Sequence, residues 1–127
     1  MNKVEAQAIV FADMVAGLSK PGADIVRELT PDDAELIHMA MGVSGEAGEL
    51  LDAIKKATIY RKPMDMENVI EELGDLEFFM ERIRQMTGIT REQTIQANIA
   101  KLGKRYSKGS YSNDQAQVRA DKQEAEV

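Results

Sequence analysis

The chain has 127 residues, of which 30% are charged, and it carries a formal net charge of -6 with no cysteine and no tryptophan. This length suits one domain with a small core, and the lack of cysteine excludes disulfides, thiolate metal sites and cysteine nucleophiles. The acidic balance opposes a general attraction to nucleic acid, so we expect no nucleic-acid partner.

The first residues lack the pattern of a targeting segment. Residues 1–5 contain no basic region followed by a long apolar run, and no stretch approaches the length needed to span a bilayer. We therefore expect a cytoplasmic protein without a membrane partner. The eight methionines favour adaptable contacts between helices, within one chain or between subunits.

Apolar residues at helical spacing predict a first amphipathic helix over residues 4–18. Proline and glycine in residues 19–22 then end it, because proline lacks an amide donor and glycine favours turns. A long second helix is predicted to start at Thr30 and Pro31. Threonine is a good N-cap, proline fits the first helical position, and the two aspartates that follow face the positive end of the helix dipole.

Two pairs of acids lie on this long helix and on the next one, which we expect between Asp65 and Gly88. The first pair is Glu46 and Glu49, and the second is Glu72 and Asp75. Residues three apart share one face of a helix, so each pair points two carboxylates the same way.

The short basic turn between these helices, residues 60–63, predicts that they are antiparallel neighbours. At about 1.5 Å rise per residue, the two acid pairs then fall at similar heights. Like charges beside a core repel unless a cation lies between them, and oxygen ligands suit magnesium or manganese. The spacing therefore predicts a metal site. Glycines at positions 42, 45 and 48 would admit either a ligand or a closely packed helix.

A last regular helix is predicted from Thr90 to about Lys104, with a polar and basic stripe of Asn98, Lys101 and Arg105. Such a stripe is either a solvated face or a phosphate-binding face. Residues 107–127 are polar, with few large apolar side chains. We expect a tail there that is partly ordered, with a short helix near residues 114–124, or that docks on a partner subunit.

The sequence Glu46-Ala-Gly-Glu49 followed by Glu72-Leu-Gly-Asp75 resembles the signature of the MazG-like all-α nucleoside triphosphate pyrophosphohydrolases. The resemblance covers about residues 36–106 and includes the run from Asn98 to Tyr106. It implies an all-α antiparallel helical bundle in residues 1–106, with a catalytic four-helix bundle completed by oligomerisation, as a homodimer or homotetramer.

The resemblance also implies a reaction, the magnesium-dependent cleavage of a nucleoside triphosphate to the monophosphate and pyrophosphate, with manganese as a substitute metal. Its metal ligands and catalytic residues are Glu46, Glu49, Glu72 and Asp75, and we interpret Glu49 as the general base. Glu71 is either a helper one turn from Asp75 or an ordinary flanking acid. His38 is interpreted as an interface residue, with contact to the base or sugar as the alternative. The residues expected to bind substrate are Asn98, Lys101, Arg105, Tyr106 and Lys55.

We consider three other functions, of which the sequence fits the first two. A phosphoribosyl-ATP pyrophosphohydrolase would use the same acids on a related substrate. A non-catalytic helical interaction module would leave them solvated and would show no stabilisation by magnesium. A di-iron carboxylate bundle needs Glu-x-x-His motifs on two facing helices, and the sequence does not supply that pair.

Overall fold

A computed structural model describes residues 1–123 and confirms the all-α fold, with no strand among those residues. The chain divides into two compact units, residues 1–35 and the part that begins at Leu36. The helices are α1 (Lys3–Leu18), α2 (Gly22–Glu28), α3 (Pro31–Thr58), α4 (Met66–Thr87), α5 (Arg91–Arg105), α6 (Asn113–Val118) and α7 (Ala120–Gln123).

The first unit contains α1, α2 and the start of α3. Asn2 and Glu5 form a reciprocal capping box at the start of α1, which confirms the helix predicted from residue 4. The helix α2 was not predicted, because its seven residues are too few to show a clear apolar period. At the start of α3, the backbone N–H of Asp33 donates to the Thr30 hydroxyl, as expected for this cap.

The helices α3 and α4 run antiparallel in the second unit: as residue numbers increase along α3, the numbers of the α4 residues that they contact decrease. Gly42 lies against Phe79, and Glu46 lies near Glu72 and Asp75. The connection between the two helices includes Arg61, whose φ of 56° is in the left-handed region. Capping follows the sequence closely: the Asp65 carboxylate accepts a hydrogen bond at the start of α4, and Gly88 ends it with a φ of 71°.

Glycines on α3 serve two different purposes. A Cβ atom at Gly42 would come within 2.6 Å of Cγ of Phe79, so glycine is what allows the helices to approach closely there. Outside its own helix backbone, a Cβ atom at Gly45 or Gly48 would meet no atom of residues 1–123 within 4 Å. Close helix packing is therefore observed at Gly42, whereas the other two glycines face open space.

Few side chains are buried within one chain. Among the described residues, those buried as whole residues are Met39, Ala53 and Glu72. Large apolar side chains remain exposed on both α3 and α4, including Leu51 at 67% and Phe78 at 64% exposure. The described part of a single chain therefore leaves many large apolar side chains in contact with water.

The helix α5 begins with a capping box formed by Thr90 and Gln93. Downstream, α6 and α7 pack on α5, and Gln115 donates a hydrogen bond to the Ser107 hydroxyl at 3.1 Å. The tail thus forms two short helices, where we expected one near residues 114–124. The last four residues of the expected tail, 124–127, lie outside the described residues. Within residues 1–123, no helix is both long and apolar enough to cross a membrane.

Candidate metal and substrate site

Three carboxylates meet where α3 and α4 face each other. Glu46 on α3 and Glu72 and Asp75 on α4 each offer an oxygen atom, and these oxygens lie within 4.8 Å of one another. We call this group the three-acid cluster. Its geometry follows from the antiparallel pairing, because the Glu-x-x-Asp spacing places both α4 acids on the face that meets α3.

The three-acid cluster has two buried oxygens that no described residue compensates. Glu72 is only 7% exposed, and one buried carboxylate oxygen of Glu46 and one of Glu72 have no hydrogen-bond partner. A shared hydrogen bond with Glu46, burial, and the nearby charge of Glu49 together raise the pKa of Glu72 to about 7. Removing carboxylates from water without a partner is costly, so this arrangement favours a bound cation.

A solvent-open cavity of about 420 Å³ lies beside the cluster, and we call it the α3–α4 cavity. Glu49 and Glu72 both line it, and Gly45 and Gly48 form part of its wall. Glu49 is not a member of the three-acid cluster, although its charge acts on Glu72. The cavity therefore offers space for a ligand next to carboxylates whose charge is not balanced.

Comparison with protein families gives a match that covers more than half of the chain. Residues 35–110 match the model of the MazG nucleotide pyrophosphohydrolase domain. The chain belongs to the MazG family. Comparisons with curated proteins and with solved structures give no significant match.

Two residues that line the cavity of this MazG domain were not identified from the sequence. Asp52 lies one turn after Glu49 on α3, and Asn68 lies one turn before Glu72 on α4. Their spacing from the acids was the available signal, since residues three or four apart share a helix face. The ammonium of Lys56 also donates to Oδ2 of Asp52, and the two atoms are 2.9 Å apart.

The residues expected to bind substrate lie outside the cavity lining. On α5, Asn98 and Lys101 are exposed. Arg105 pairs with Asp121, and the Tyr106 ring lies 5.7 Å from the ring of Tyr111. On α3, the ammonium of Lys55 lies over the ring of Tyr60 at 5.3 Å from its centre. The residues that line the α3–α4 cavity are Gly45, Gly48, Glu49, Asp52, Asn68 and Glu72.

A di-iron site is not formed by the described residues. The sequence has a single Glu-x-x-His motif, Glu35 to His38, whereas such bundles use one on each of two helices. The metal-capable group that the described residues form contains carboxylates alone. His38 and Glu71 are both exposed and lie outside that group.

Proposed function

We propose that this MazG domain is a magnesium-dependent nucleoside triphosphate pyrophosphohydrolase, which cleaves a ribo- or deoxyribonucleoside triphosphate to the monophosphate and pyrophosphate. The observation that carries the proposal is the three-acid cluster with its two unpartnered buried oxygens. A divalent cation offsets the cost of such buried charge. Membership of the MazG family supports the reaction class.

Glu46, Glu72 and Asp75 would hold the magnesium ion, or manganese in its place, and Glu49 would complete the four carboxylates. The donor set fits, because hard divalent cations prefer carboxylate oxygens. When bound, the ion would neutralise phosphate oxygens and orient the triphosphate. The raised pKa of Glu72 belongs to the metal-free chain, since a cation favours the ionised carboxylate.

Glu49 is our choice for the general base. Its carboxylate lines the α3–α4 cavity and the residue is exposed, so water has access to it. The water oxygen would add to the α-phosphorus while the bond to the bridging oxygen breaks and pyrophosphate leaves. The water proton would pass to a carboxylate oxygen of Glu49.

Basic and polar residues outside the cavity would bind the rest of the substrate. Lys101, Arg105 and Lys55 would neutralise phosphate charge, while Asn98 would hydrogen-bond and Tyr106 would pack on the nucleotide. These side chains do not line the cavity within one chain. We therefore propose that a second subunit completes the substrate pocket.

The same proposal makes the working protein a homodimer or homotetramer. Its support is the large apolar side chains exposed on α3 and α4, since burial of apolar surface drives most protein–protein association. A Phe78→Glu variant places a charge on this surface and should reduce the molar mass measured by light scattering. An unchanged mass would show that Phe78 lies outside the interface, and a monomeric wild type would contradict the proposed oligomer.

The direct test is pyrophosphate release from a panel of ribo- and deoxyribonucleoside triphosphates and phosphoribosyl-ATP, with magnesium and with a chelator. Wild type should release pyrophosphate only with magnesium, and Glu49→Gln should lose that activity because it keeps the shape but not the charge. Glu67→Gln, an exposed acid on α4, is the matched control and should behave as wild type. Absence of release from every substrate would contradict the enzyme and leave a helical interaction module.

A further inference from the structure

The ion pair between Arg105 and Asp121 joins two atoms of each side chain. The Nε–H of Arg105 donates to Oδ1 of Asp121 at 2.8 Å, and an Nη2–H donates to Oδ2 at 3.2 Å. The two side chains are 17% and 3% exposed. Because both oxygens and two nitrogens take part, the guanidinium is fixed in orientation as well as in position.

Exposed pairs elsewhere offer a comparison. The pairs Lys20–Glu28 and Lys56–Asp52 are more than half exposed on both sides, and each joins residues close in sequence. Such pairs contribute little, because water and salt screen them. Asp121 instead lies 16 positions after Arg105 and ties α7 to the last turn of α5. The pairing with Arg105 holds the pKa of Asp121 below its ordinary value, so its carboxylate stays charged at neutral pH.

Asp121 engages only one edge of the guanidinium. Arginine has five N–H groups; Asp121 takes two of them, and a side-chain hydrogen bond to Tyr106 takes a third, so two remain. A guanidinium that is held through Nε and Nη2 can still donate its remaining N–H groups to the oxygens of a phosphate. Lys101, one turn earlier on the same basic stripe, is exposed and is a mobile point charge by comparison.

We propose that Asp121 is a positioning residue that holds Arg105 so that its remaining N–H groups bind a phosphate of the substrate. This inference rests on the proposed function, in which Arg105 neutralises phosphate charge. It also extends the functional unit beyond residue 110, where the match to the family model ends, because α7 then helps to shape the substrate site. Residues that orient a ligand-binding side chain commonly change ligand affinity when they are replaced.

The test compares Asp121→Asn, Arg105→Gln and the double variant in the full chain, with Asp114→Asn as the control. Asp114 is an exposed acid in the same C-terminal segment. We expect Asp121→Asn to raise KM for the triphosphate about tenfold with little change in kcat. The double variant should match Arg105→Gln alone, because Asp121 acts only through Arg105. Asp114→Asn should leave both constants unchanged.

Two results would contradict the proposal. An unchanged KM in Asp121→Asn would make the ion pair purely structural, and a lower KM would mean that Asp121 masks Arg105. If Asp121→Asn does not fold, Asp121→Glu keeps the charge and moves the guanidinium by about one bond length, and the double variant removes both charges together. The same rise in KM in Asp121→Glu would support the proposal, and wild-type KM would contradict it.

Binding of inorganic tripolyphosphate, measured by calorimetry with magnesium, separates this inference from the proposed reaction. Binding by wild type that weakens in Asp121→Asn supports the positioning role even when no triphosphate is cleaved. Cleavage by wild type with equal tripolyphosphate affinity in Asp121→Asn contradicts the positioning role and leaves the reaction intact. Absence of both binding and cleavage in wild type contradicts both proposals.

Discussion

The acids between α3 and α4 and the ion pair between α5 and α7 handle buried charge in opposite ways. In the three-acid cluster, like charges meet and two carboxylate oxygens have no hydrogen-bond partner. In the C-terminal region, Asp121 meets Arg105 through two hydrogen bonds. The first arrangement raises the pKa of its central acid, and the second lowers the pKa of its acid.

This contrast separates acids that favour a bound cation from an ion pair that fixes the orientation of a side chain. Burying charge is unfavourable, so a protein compensates it within the chain or uses a ligand to do so. The compensated pair orders a segment, whereas the uncompensated acids favour an incoming cation. Perturbed carboxylates beside a cavity are also common at functional sites.

The largest expected effect comes from replacing the central acid of the cluster. Glu72→Gln should reduce magnesium-dependent pyrophosphate release by about 10² to 10³-fold, because it removes a ligand charge from the reaction centre. In chelator, the same variant should unfold at a temperature equal to or above that of wild type, because glutamine resembles the protonated acid. Pyrophosphate release and thermal unfolding measure the two effects, with Glu67→Gln as the control. Retained activity, or a clear loss of stability in chelator, would contradict this view of the cluster.

The close approach of α3 and α4, which gathers the acids, depends on Gly42. Gly42→Ala should destabilise the fold by about 1–3 kcal/mol, because the new methyl group overlaps the Phe79 ring. Outside its own helix backbone, a Cβ atom at Gly74 on α4 would meet no described atom within 4 Å. Gly74→Ala should therefore stabilise the fold by up to about 1 kcal/mol through helix propensity. Chemical denaturation measures both free energies of unfolding. Equal effects of the two substitutions would contradict the assigned role of Gly42.

A pH titration of metal-free protein tests the raised pKa of Glu72. The folded chain binds this proton up to about pH 7, whereas the unfolded chain releases it near the ordinary value of 4.5. The folded state therefore holds more protons in this window, and stability should fall as pH rises from about 4.5 to about 7. Thermal unfolding in chelator across this range should show the fall, and Glu72→Gln should flatten it. Magnesium should restore stability most strongly above pH 7, where the acids are ionised.

The smallest effect is expected at an exposed ion pair. Lys56→Gln removes the partner of Asp52, but both side chains are more than half exposed. Screening by water makes such a pair weak, so the unfolding temperature should stay within experimental error of wild type. Arg105→Gln should lower it measurably by comparison, because that substitution leaves Asp121 buried without its partner. Equal shifts would remove the distinction between exposed and buried pairs.

Sequence alone predicted the elements whose signals are local. The caps at Thr30, Asp65 and Thr90 and the end of α4 at Gly88 appear where expected, because capping depends on a few neighbouring residues. The Glu-x-x-Glu and Glu-x-x-Asp spacings likewise predicted which acids share one face of each helix. The short helix α2 was not predicted, because seven residues carry too little periodicity.

Tertiary structure decided what depends on distance between segments. It brought carboxylate oxygens of Glu46, Glu72 and Asp75 within 4.8 Å of one another and left Glu49 at the cavity wall. The sequence could not separate Glu49 from the other three acids, because the two pairs have the same spacing. It also paired Arg105 with Asp121, across a polar stretch that carries no pattern linking the two. Local periodicity sets which face a side chain occupies, whereas the approach and rotation of packed helices set which charges meet.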